Sequence, residues 1–145
     1  MMTKFHVPRR PFGSRAGNAM IESALCFLLF VTIFVAIMEF GMGVFTYNFV
    51  SYAAREGTRY ASTRGSQCTS PCTPATADTV QTMIRNQVAA LDPSQVSVTT
   101  SWNPSNSNIP GNTVTVNVSY PIKPLLGFVL GNITVGATST MMISQ

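Results

Sequence analysis

The chain has 145 residues, about one domain's worth, with 9 basic and 5 acidic side chains and a formal net charge of +4. The excess lies at one end. Lys4, Arg9, Arg10 and Arg15 precede every acid, whereas after Gly17 five bases (Arg55, Arg59, Arg64, Arg85, Lys123) face five acids (Glu22, Glu39, Glu56, Asp78, Asp92). A nucleic-acid partner is excluded on this ground, because binding a phosphate backbone needs a basic face on the folded domain.

Residues 1–17 read as a short basic leader. Gly17 and Asn18 follow, then three uncharged residues and Glu22. From Ser23 to Val50 the only formal charge is Glu39, and a bilayer core takes about 20 apolar residues in a helix. The run therefore predicts a single membrane span over about residues 23–50. Short loops rich in Lys and Arg stay in the cytoplasm, which places the leader inside and everything after about Tyr52 outside. Phe45, Tyr47, Phe49 and Tyr52 cluster where an outer aromatic belt falls. A cleaved secretory signal competes with this reading, with Ser51–Ala53 as its site. Its apolar core is normally about 7–15 residues, so this run is too long, starts too late and contains Glu39.

Helix is expected to continue beyond the membrane, giving one element over 18–64. The stretch "SYAAREGTRYASTRGS" has no proline, and Ala53, Gly57 and Ala61 recur at every fourth residue. Small residues at that spacing let another helix approach closely. Glu56 stands one turn before Arg59 and is expected to pair with it. The alternative is a helix ending near Tyr52, with Arg55–Arg64 snorkelling at the headgroups. Gly57 favours that alternative, because glycine costs about 1 kcal/mol in a helix interior. Residues 65–77 read as a linker broken by Pro71 and Pro74. Its Cys68 and Cys72 suit a small disulfide in an oxidising compartment, the alternative being two free thiols.

The remainder, 78–145, reads as a small α+β domain. Asp78 with Gln81 fits a capping box, and Val80, Met83, Ile84, Val88 and Leu91 fall on one helical face before "DPS". Three runs of period-two alternation follow, at Val96–Trp102, Val114–Tyr120 and Ile133–Ile143. The fold class is thus α+β: a long N-terminal transmembrane helix, then one helix on a three-stranded antiparallel sheet outside the membrane. "NPSNSNIPGN" reads as the first hairpin loop. The second connection, "PIKPLLGFVLGN", is unusual because it is apolar. Leu125, Leu126, Phe128, Val129 and Leu130 are expected to lie against the outer leaflet or a partner, or to form a short buried turn over the sheet. So small a domain is marginal alone and is expected to draw support from the disulfide, the anchor or a partner.

No catalytic constellation is legible. The one histidine, His6, lies in the leader, no phosphate loop is present, and Asp78 and Asp92 stand near opposite ends of one short helix. Cys26 lies inside the apolar run and His6 in the leader, which leaves Cys68 and Cys72 short of a four-ligand zinc set, so no metal and no cofactor is expected. The chemistry that remains is at the start of the long helix. If the chain is cut between Gly17 and Asn18, a new α-amine with a pKa of about 8 appears four residues before Glu22. Residues four apart share a helix face, so Glu22 can neutralise the amine of its own chain or of a neighbour. An unpaired carboxylate in lipid is costly, so such a pair acts as a recognition device between subunits. Glu39 lies 17 residues on, about 100° round the helix, and forms no common site with Glu22. It faces either a partner helix or the outer water.

"GNAMIESALCFLLFVTIFVAIMEFGMGVFTYNFVSYAAREGTRYAS" resembles the TadE-like family, the pseudopilins or minor pilins of the tight-adherence pilus machinery. The resemblance rests on Gly17, Glu22, Glu39-Phe40-Gly41 and Ala53–Ala61 at their usual distances. It departs at Ser23, where an aromatic residue is usual, and trivially at Thr58. It implies an inner-membrane subunit with its N-terminus in the cytoplasm, cut by a prepilin peptidase between Gly17 and Asn18. Glu22 is then the assembly carboxylate, and the partners are other pilins or pseudopilins, inner-membrane assembly proteins and the lipid bilayer. The role implied is assembly or initiation of a thin Flp-type fibre. Two other readings stay open: an unprocessed single-pass anchor presenting a small interaction domain, and a secreted domain released near Ala53.

Overall fold

A computed structural model describes residues 15–88, 90–124, 131 and 133–144. The leader up to residue 14 and the apolar connection 125–130 lie outside the described residues. The elements in order are α1 (Arg15–Ser62), α2 (Ala77–Gln87), β1 (Ser97–Asn103), β2 (Thr113–Ile122) and β3 (Ile133–Met142), an α+β arrangement as the sequence predicts. The chain divides into two units, up to Met38 and from Glu39 onward.

The described part of the first unit is the N-terminal part of α1, a helix that from Gly17 to Ser62 is long and apolar enough to cross a membrane. It contains the good helix formers Ala, Leu and Met and no proline, which suits a helix. From Gly17 to Met38 only Val35 is even half-buried. The two hydroxyls in this stretch are absorbed by the helix itself. Ser23 Oγ donates to Ala19 O at 2.8 Å and Thr32 Oγ1 to Leu28 O at 2.8 Å. A polar group satisfied in this way is compatible with hydrocarbon around it.

The second unit contains a three-stranded antiparallel sheet in the order β1-β2-β3. Val98, Thr100 and Trp102 pair with Val118, Val116 and Val114, which in turn pair with Ala137, Ser139 and Met141. These side chains share one face, and Val114, Val116 and Val118 on the central strand are fully buried. The other face is Ser, Thr and Asn, cross-linked by Thr115–Thr140 at 2.9 Å and Asn117–Thr138 at 2.8 Å. Pro121 falls beyond Ser119, where β1 has ended and a missing N–H costs little.

Helix α1 runs to Ser62 and does not stop near Tyr52. Its last three turns are core: Val50, Ala53, Ala54, Gly57, Thr58 and Ala61 are buried. Gly57 accounts for its own cost. A Cβ there would stand 2.5 Å from Ile84 Cδ1 and 3.4 Å from Val116 Cγ1, so the glycine lets α1 close on α2 and β2. Thr58 Oγ1 donates to Ala54 O at 2.7 Å and reaches Ser139 O at 3.3 Å.

The cap of α2 differs from the sequence reading. The N-cap is Thr76, extended at φ −114° and ψ 163°, not Asp78. Its hydroxyl accepts from Thr79 N at 3.2 Å, while Thr76 N donates to the Thr79 hydroxyl at 2.8 Å. The two threonines thus make the reciprocal box, and Asp78 sits inside the first turn, where a carboxylate still favours the helix dipole. Val80, Ile84 and Val88 are buried as the periodicity predicts, with Met83 and Leu91 half-buried. The helix ends at Gln87, one turn earlier than the stripe suggests.

The segment after α1 is held down rather than loose. Ala75 N donates to Arg64 O at 2.7 Å, Ser66 N to Asn108 O at 2.8 Å, and Asn108 Nδ2 to Ala75 O at 3.0 Å. Cys68 and Cys72 form a disulfide with Cα atoms 5.7 Å apart. This bridge and the β1–β2 loop therefore lie at the same end of the domain.

Candidate functional site

The start of α1 carries the site. Because the helix begins at Arg15, Gly17 and Asn18 fall in its first turn. Gly17 has nothing within 4 Å of where a Cβ would stand. Glu22 is exposed, four residues from Asn18 and on the same face.

Other residues singled out from the sequence are placed as follows. Glu39 is half-buried and opens the second unit. Ala53, Gly57 and Ala61 are buried in the fold of their own chain. Glu56 and Arg59 pair through both carboxylate oxygens, at 2.7 and 3.1 Å. Cys26 is a free, exposed thiol. What the sequence reading missed is the set of back-bonded hydroxyls, to which Thr46 Oγ1 to Met42 O at 2.8 Å belongs. The signal was present as Ser or Thr inside an apolar helix.

A groove of about 590 Å³ lies between Tyr60 and α2. Among its described lining residues Asp78 is the one carboxylate, with Thr79, Thr82 and Asn86 beside it, and no base faces it. Among the described residues no group of His, Cys, Asp and Glu is arranged to hold a metal ion.

The fold and the helix start together define a class: a small α+β domain carried on a single apolar helix suited to anchor it in a membrane. Residues 17–59 match the family model described as TadE-like protein. The match begins at Gly17 and ends at Arg59, so it covers the candidate cleavage pair, Glu22, Glu39 and most of the packed part of α1. No curated protein and no solved structure matches the chain.

Proposed function

We propose that this chain is a pseudopilin or minor pilin that helps assemble or initiate a tight-adherence pilus of the Flp type, acting as a structural subunit and not as an enzyme. The observation that carries the reading is the TadE-like match over residues 17–59, which brings Gly17, Asn18 and Glu22 into one helical turn and a half. A prepilin peptidase in the inner membrane cuts after Gly17. The leader stays on the cytoplasmic side, and the domain stands on the other.

Cleavage frees the α-amine of Asn18, cationic at neutral pH. Glu22 then meets that amine, or the equivalent amine of a neighbouring pilin, when subunits align. Removing the leader also takes away Lys4, Arg9, Arg10 and Arg15, which leaves the remaining chain formally neutral. Before the cut the basic flank holds the N-terminus at the cytoplasmic headgroups. After it, one amine and one acid are left at the helix start.

The test is the mass of the mature N-terminus in membranes of the native host. A chain starting at Asn18 is expected. A chain starting at Met1 or Met2 removes the proposal and leaves an unprocessed anchor, and one starting at Ala54 indicates a released domain.

A further inference from the structure

Within the second unit, α1 and β3 run in the same direction. Thr58 Oγ1 reaches Ser139 O, and further along both elements Ser144 N donates to Ser62 O at 2.9 Å. Going back from Ser139 to the start of β3 at Ile133 covers about 20 Å at 3.3 Å per residue. The same distance back along α1 from Thr58 is about 13 residues at 1.5 Å each, which is the level of Phe45. The β2–β3 end of the sheet is therefore level with the part of α1 that is still apolar.

At that level the helix has two different sides. Thr46 and Val50 are buried by the domain, 3% and 0% exposed. Phe45 and Tyr47 lie off that face and are 50% and 53% exposed. The exposed side calls for lipid or its interface. Lipid that reaches Phe45 on one side of the helix is at the depth of the β2–β3 end on the other.

That end is built for such contact. Ile133 is 44% exposed and its cross-strand partner Ile122 is half-buried. Lys123 follows, with the exposed Asp92 carboxylate within its electrostatic reach. The opposite end carries Ser105, Asn106 and the disulfide loop beside the exposed Ile109 and Met142.

We propose that the β2–β3 end of the domain is a membrane-seating surface whose partner is the lipid leaflet on the domain's own side. Ile122 and Ile133 enter the boundary between headgroups and acyl chains beside Phe45 and Tyr47, and Lys123 lies among the phosphates. Interfacial elements of this kind sink by about 5–10 Å. The domain thus rests on the bilayer and is not held above it on a bare helix. The inference rests on α1 as an anchor and not on the pilus role.

The full-length chain is reconstituted in phosphatidylcholine vesicles, with and without lipids brominated near the headgroup end of the acyl chain. Trp102 gives the baseline, and Ile133→Trp and Ile109→Trp add a reporter at either end, Ile109 being 49% exposed in the β1–β2 loop. Ile133→Trp is expected to emit at shorter wavelength and to lose emission in brominated vesicles, while Ile109→Trp matches the baseline. Equal behaviour of the two, with iodide quenching both from the water, overturns the proposal. Shielding of Ile133→Trp from iodide without bromine quenching indicates a second copy or another protein there and also overturns it. If tryptophan disturbs β3, a nitroxide on Ile133→Cys gives the depth instead, from its relative collision rates with oxygen and a nickel chelate. Flotation with the vesicles reports anchoring separately, so loss of the anchor is distinguishable from loss of the seating.

Discussion

Helix α1 is one element with two opposite burial patterns. Up to Met38 it exposes large apolar side chains such as Phe27, Leu28 and Phe30, each about two-thirds accessible. Beyond Glu39 it buries its smallest ones, Ala53, Ala54, Gly57 and Ala61. Residue hydrophobicity alone would predict the reverse. The difference is in what is available to pack against. The later turns meet α2 and the sheet at close range, where only small side chains fit. The earlier turns have no described protein around them, so their large side chains call for an apolar solvent such as a lipid bilayer supplies. The second half is thus specified for folding, while the first is the half to which the proposed function assigns assembly, and each is open to a separate attack.

The largest expected effect is on the assembly half. Glu22→Ala should insert in the membrane and keep the wild-type unfolding transition of the domain, yet fail to enter the pilus apparatus when assembled complexes are purified. Wild-type incorporation would refute the pairing with the Asn18 amine. The folding half should respond in the opposite way. Ile84→Ala removes a fully buried side chain and should cost about 2–5 kcal/mol in denaturant unfolding of the full chain in detergent, followed by Trp102 emission. Gly57→Leu should cost about 1–3 kcal/mol by overpacking, because Ile84 and Val116 already occupy the space. Combining it with Ile84→Ala should recover part of that loss, a coupling expected only if the two sites touch. Gly41→Ala, with nothing within 4 Å, should leave the transition unchanged and serves as the control. Smaller again is Cys68→Ser with Cys72→Ser. A loop this short constrains the unfolded chain by about 2 kcal/mol at most.

Much of this division was legible in the sequence. The apolar run, the period-four small residues and the three alternating strands each carry a strong local signal, and α1, α2 and the sheet appear where those signals fall. The glycine at 57 was ambiguous for a physical reason. Its helix cost is intrinsic, whereas its benefit comes from Ile84 and Val116, which are distant in sequence. The cap of α2 misled because Asp78 and Gln81 satisfy a familiar spacing. Two threonines make the same pair of hydrogen bonds, and Pro74 allows the chain to be extended just before them. The cleavage pair and Glu22 were legible only as a spacing. The structure adds that this spacing lies on the helix, with Glu22 exposed about one turn after Asn18.

The smallest expected effect lies in the α2–β1 connection, and it tests whether the folding half is ordered as far as the β2–β3 end. Asp92 is exposed, yet its carboxylate accepts from the Ser94 hydroxyl at 2.7 Å, the Gln95 amide at 2.9 Å and the Ser94 backbone N–H at 3.0 Å. These bonds, led by the Ser94 hydroxyl and helped by Lys123, hold the carboxyl below the ordinary aspartate range. A lowered folded pKa means that the charged form is the one the fold favours. The stabilisation is therefore present above the unfolded pKa and is lost as pH falls through the lower folded value. Ser94→Ala removes the leading bond, so the Asp92 midpoint read by carboxyl NMR should rise toward that of an unfolded aspartate. The stability lost on acidification should then disappear over a narrower range. An unchanged midpoint would mean that water already solvates this carboxylate and that the turn is not formed, in which case the order seen in the core stops short of the end that meets the bilayer.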